Sequence, residues 1–137
     1  MSGVTFLDLK SQINNLLNLK APETYSSALE RFSPDHLVMW FRIYNHNKSP
    51  MNLVFKGVYF FDGPISWLGA EFCVASSKEC LELVDKLGWI KGATEAEIRD
   101  FMEGFYLITV QAQNYKVRIL VRGGYISEDV PPDFQVP

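Results

Sequence analysis

Apolar and polar positions change period along this chain, and the changes lay out the expected elements. Phe6, Leu9, Ile13, Leu16 and Leu17 fall at helical spacing, with Thr5 placed as an N-cap and Asp8 three residues on. Pro22 suits the first turn of a second helix, in which Tyr25, Leu29 and Phe32 share a face before Ser33-Pro34-Asp35 stops it.

The period then shortens to two. Segments 36–44, 52–61 and 65–75 are rich in β-branched and aromatic residues, and the stretches between them carry turn residues, Asn45 to Pro50 and Asp62-Gly63-Pro64. Short connections make neighbouring strands antiparallel, because a parallel crossover needs a dozen residues or more. Two helices follow. Ser76 with Glu79 and Thr94 with Glu97 have capping-box spacing, and Gly88 stands where the first of these helices should end. Phe105 to Gln111 and Tyr115 to Arg122 make a closing hairpin around Gln113-Asn114, and the tail from Glu128 to Pro137 reads as extended or frayed. The expected order is α-α-β-β-β-α-α-β-β. Strands grouped rather than alternating with helices point to one α+β domain over 1–137, with an antiparallel sheet of about five strands and its helices mainly on one face.

Alternation sorts the strand side chains into two sets. Leu37, Met39, Phe41 and Ile43 make one apolar side of the first strand. Tyr115, Val117, Ile119 and Val121 do the same in the last strand. If the apolar sets face the helices, the other side of the sheet carries Trp40, Arg42, Tyr44, Lys56, Trp67, Glu71, Lys116, Arg118 and Arg122. Large aromatics among cations are the side chains that most often supply interface hot spots. An ordinary half-solvated sheet, with Glu71 paired to Arg42 or Lys56, would display the same residues.

Composition narrows the classes. The 137 residues are 47% hydrophobic and 21% charged, ordinary for a globular domain. A formal net charge of -3 argues against a nucleic-acid binder, and the glycine-aromatic string of RNA-stacking sheets is absent. The N-terminal stretch has no basic region ahead of an apolar run, and no segment reaches the length of uncharged apolar residues a membrane span needs. A soluble, cytoplasmic protein is the expectation.

The chemistry of known sites is missing from the pattern. There is no dinucleotide or P-loop glycine cradle, and Gly63-Pro64-Ile65-Ser66-Trp67-Leu68-Gly69 lacks the spacing of a serine nucleophile elbow. The two histidines, His36 and His46, and the two cysteines, Cys73 and Cys80, are scattered without zinc spacing. Glu79, Glu82 and Asp85 read as a cap followed by a solvated acidic face. No cofactor, metal or catalytic residue is therefore expected.

The function expected from these residues is binding without catalysis, of the inhibitor or accessory-factor type. Its surface would be the face bearing Trp40, Arg42, Tyr44, Lys56, Trp67, Glu71 and Arg118, docking a protein partner or a second copy as a homodimer. The alternative is a small-molecule-binding protein or small enzyme, with a pocket between a curved sheet and the N-terminal helices. That pocket would be lined by Phe41, Tyr59, Phe61 and Tyr106, with Asp35 and His36 at its mouth.

Overall fold

The computed structural model describes residues 3–11 and 14–135. Among them the chain forms ten strands and two α-helices. The strands are β1 (Val4–Phe6), β2 (Ser26–Ser33), β3 (Val38–Asn45), β4 (Lys48–Lys56), β5 (Phe60–Asp62), β6 (Ser66–Leu68), β7 (Phe72–Val74), β8 (Tyr106–Gln111), β9 (Lys116–Val121) and β10 (Gly123–Ser127). The helices, α1 (Ser77–Lys86) and α2 (Glu95–Glu103), fall between β7 and β8. Every strand pair is antiparallel. One sheet has six strands in the order β1-β10-β4-β3-β2-β6, and the other has four in the order β5-β9-β8-β7. The protein is mostly sheet, which overturns the expectation of an α+β domain with one sheet of about five strands and helices on one face.

The N-terminal helices are absent because polar side chains there bond to nearby backbone and offer an alternative to the helical ladder. The Asp8 carboxylate accepts the Lys10 N–H at 3.2 Å and the Ser11 hydroxyl at 2.6 Å. Asn15, itself left-handed at φ 57°, donates from Nδ2 to the Leu19 carbonyl and accepts the Leu19 N–H. Leu9 and Leu17 still reach the core, from irregular chain rather than from a helix. Ile13 lies outside the described residues.

The expected second helix is β2. A register shift between Leu29 and Arg31 places Leu29 opposite Phe41 and Phe32 opposite Met39. A bulge thus puts two apolar residues three apart on one side of a strand, a spacing indistinguishable from a helical face. Only Pro22–Thr24 turns helically, as a short 3-10 segment.

The chain passes between the sheets at β4–β5, β5–β6, β6–β7 and β9–β10, and glycines at positive φ mark two of these corners. At the first, Gly57 adopts φ +63° between β4 and β5, beside Arg122, which joins β9 to β10 and donates its N–H to the Lys56 carbonyl. At the second, Gly69 at φ +121° separates β6 in the six-stranded sheet from β7 in the four-stranded one. Each corner resets the alternation.

The sheets share one core. Phe41 and Phe55 from the larger sheet meet Phe72 from the smaller, with ring centroids 6.4 and 6.1 Å apart, and Val117 and Ile119 complete it. The apolar sets therefore face the opposite sheet rather than helices. The helices cover the outer face of the four-stranded sheet, where Cys80, Leu83 and Val84 pack on Leu107 and Leu120. The capping box forms as expected at Thr94, with both reciprocal bonds to Glu97, whereas Ser76 accepts the Glu79 N–H without the return bond, the Glu79 carboxylate pairing with Lys116 instead. No helix among the described residues is long and apolar enough to cross a membrane.

Candidate functional site

The outer face of the six-stranded sheet holds the features best suited to docking. Register fixes its rows. Tyr44 lies opposite Ser26, and Ser26 opposite Leu68; Arg42 lies opposite Ala28, and Ala28 opposite Ser66. The row after the β2 bulge runs Arg31, Trp40, Val54, Tyr125 and Phe6 across β2, β3, β4, β10 and β1. All these positions alternate with core residues, so they point away from the other sheet.

Half of this face is open. Tyr44 is 41% exposed and Leu68 53%, while Arg42 is also exposed. The small side chains of Ser26, Ala28 and Ser66 leave a flat shelf between them. β6 pairs only with β2, so its far edge carries unpaired backbone groups among the described residues.

The other half is covered by residues 128–135. Phe134 packs on Trp40 with centroids 5.4 Å apart, and Trp40 donates from Nε1 to Asn52 Oδ1 at 2.9 Å. Asn52 turns its own Nδ2 to the carbonyls of Asp129 and Glu128. The Asp133 carboxylate accepts the Tyr125 hydroxyl at 2.6 Å and pairs with Lys56 at 3.4 Å. Burial first, and the bond to Asp133 second, push the Tyr125 phenol above its ordinary value of 10.0. The tail expected to be extended or frayed is packed as far as the buried Phe134.

The nine residues expected on one docking face are dispersed. Trp40, Arg42, Tyr44 and Lys56 do share the outer face of the six-stranded sheet. Trp67 points inward instead, 6% exposed, against Phe41 at 5.7 Å and Phe72 at 6.2 Å. Its assignment to the surface assumed unbroken alternation through Gly69, and the corner there breaks it. Glu71 is exposed in that corner. Arg118 sits on the outer face of the four-stranded sheet, paired with Asp62 at 2.8 Å and over the Phe60 ring. Lys116, on the same face, pairs with Glu79, and Arg122 lies over Phe105 at a corner. Arg42 and Arg118 thus point in opposite directions from a shared core.

The six residues of the expected pocket do not converge either. Phe41 is fully buried and touches Phe61 at 6.0 Å, so core fills the space between them. Asp35 and His36 are exposed in the turn before β3. Tyr59 is exposed and stacks edge-on against Phe105 at 5.1 Å. The N-terminal helices that were to form the other wall are absent. Tyr106 instead lines a different cleft of about 580 Å³, between α1, α2 and the Leu9–Lys10 segment, whose lining includes Lys10, Arg99, Glu103, Met102 and Phe105.

Cys73 and Cys80 are free thiols. Burial, with the charge of Glu79 second, pushes the Cys80 thiol up to about 11, so it stays protonated near neutrality. Among the described residues no group of three or more His, Cys, Asp or Glu is gathered as a metal site.

Sequence reasoning missed Asn52, Tyr125, Asp133 and Phe134. The available signal was an acid-aromatic pair directly after Pro131-Pro132, which is more than a frayed end needs. Compared with known proteins, the chain matches no family model, no curated protein and no solved structure.

Proposed function

We propose that this is a non-catalytic interaction protein, of the inhibitor or accessory-factor type, which docks a protein partner or a second copy on the outer face of its six-stranded sheet. One observation carries the reading. Tyr44, Leu68 and Arg42 stand exposed around a flat shelf of Ser26, Ala28 and Ser66, beside an edge strand with unpaired backbone. Tyr and Arg are frequent interface anchors, and small neighbours let a partner's side chains reach the sheet. A partner strand added to β6 would satisfy its free backbone groups.

The test is a double variant, Arg42→Ala with Tyr44→Ala, compared with the wild type in quantitative affinity capture from the source cells and in sedimentation velocity. Both side chains are exposed, so the melting temperature should hold. Association should fall at least tenfold. Unchanged association in both assays refutes the docking face.

A second reading, small-molecule binding, is favoured by the cleft beside Tyr106, whose volume falls in the range of small-ligand sites. Saturable chemical-shift changes confined to Lys10, Arg99 and Tyr106 on titrating a small organic anion would support it over the first.

A further inference from the structure

The segment that covers half of the docking face is bound as a ligand is bound. Past Ser127 the chain leaves the sheet ladder, and its route is set by side chains that receive it. Asn52 Nδ2 holds the Asp129 carbonyl at 2.9 Å, and Ser127 Oγ donates to the same carbonyl at 3.0 Å. Pro131 is buried in polyproline geometry, φ −59° and ψ 141°. The turn at Pro132–Phe134 then lays Phe134 between Trp40 and the Arg31 guanidinium, 6.0 Å from the ring. Asp133 is received by Tyr125 and Lys56.

The features of the segment thus have their own receptors: an indole for the phenylalanine, a phenol and an ammonium for the acid, an amide for the backbone. Aromatic grooves that recognise proline-rich segments use the same physics, because a polyproline helix has little order left to lose. Among the described residues no strand ladder locks the segment in place.

We infer that the Trp40–Tyr125 face is a receptor for an extended Pro-Pro-acid-aromatic segment, filled in cis by residues 131–134, and that its occupant in trans is the same segment of a second copy. This rests on reading the outer face of the sheet as a docking surface, and it names the partner for the covered half. Every copy carries both receptor and ligand, so a reciprocal exchange reproduces every contact. Tethering gives the cis segment an effective concentration on the order of millimolar. Wild-type copies therefore remain self-filled, and exchange becomes visible when the cis pairing is broken.

Two full-length variants test this by complementation. Trp40→Ala removes the receptor and keeps the segment; Phe134→Ala removes the segment's anchor and keeps the receptor. Each alone should associate no more than the wild type does. Mixed at equal concentrations of several hundred micromolar, they should form a one-to-one heterodimer, resolved by native mass spectrometry with one variant isotopically labelled. A second pair, Lys56→Glu with Asp133→Lys, leaves the aromatic contacts in place and should behave alike if the first loosens the fold. Mixtures that stay monomeric, with both partners folded by near-ultraviolet circular dichroism, overturn the inference. So does either variant dimerising alone as far as the mixture does. Loss of association by the Arg42, Tyr44 double variant without any complementation would leave the docking face standing and remove the exchange.

Discussion

Trp67 offers the sharpest test of the architecture, because its two possible positions predict opposite energetics. On a solvated face, truncation to alanine would change stability by about 0.5 kcal/mol or less. In the core, 6% exposed between Phe41 and Phe72, Trp67→Ala should cost about 3–5 kcal/mol. Trp67→Phe separates packing from polarity. Nε1 is buried without a hydrogen-bond partner among the described residues, and a buried unsatisfied donor costs roughly 1–3 kcal/mol. Replacing the indole by a phenyl ring removes that donor and leaves a void of roughly 40 Å³, worth about 1 kcal/mol at ~24 cal/mol per Å³. The two effects nearly cancel or favour the variant. The expected change runs from about zero to about 2 kcal/mol stabilising, unusual for a large-to-small core substitution. Urea denaturation followed by far-ultraviolet circular dichroism measures both, and an unchanged slope with denaturant certifies the comparison. If Trp67→Ala costs under about 1 kcal/mol, the side chain is not in the core. If Trp67→Phe costs more than about 2 kcal/mol, the indole N–H is satisfied and the argument from its isolation fails.

Two further outcomes follow from the same structure. The Tyr125 phenol is raised from 10.0 in the folded protein, so its stabilisation is complete below pH 10 and declines as pH rises beyond it, because the unfolded chain loses that proton first. Tyr125→Phe should flatten the alkaline limb of a stability–pH profile, and an identical limb would refute the linkage. Gly124→Ala should destabilise by about 1–3 kcal/mol, since the added Cβ would lie 2.7 Å from the Val54 carbonyl in the β10–β4 ladder. A melting temperature equal to the wild type's would show that the strands can part without cost.

Much of the local structure was written in neighbouring residues. Alternation in Val38–Asn45 and Lys116–Val121 identified strands and separated Phe41 from Arg42, and Val117 from Arg118. The Thr94-Glu97 box placed α2, because its hydrogen bonds close within four residues. The N-terminal and β2 segments misled for a physical reason. Their apolar residues recur at three and four positions, and irregular chain or a bulged strand satisfies that spacing as well as a helix does.

Which way a face points was not local. Parity holds within one strand only, and the glycine corners at Gly57 and Gly69 restart it. That is why Val58 enters the core although Lys56 lies outside, and why Trp67 and Phe72 meet despite opposite parity in one continuous count. The sequence by itself determined the strand character of β3, the caps of the two helices and the hairpin of β8 and β9, since these depend on contacts a few residues apart. Only the tertiary structure decided that there are two sheets, that Arg42 and Arg118 look away from each other, and that Phe134 returns to Trp40. Those outcomes depend on pairings between distant segments, and no short-range pattern encodes them.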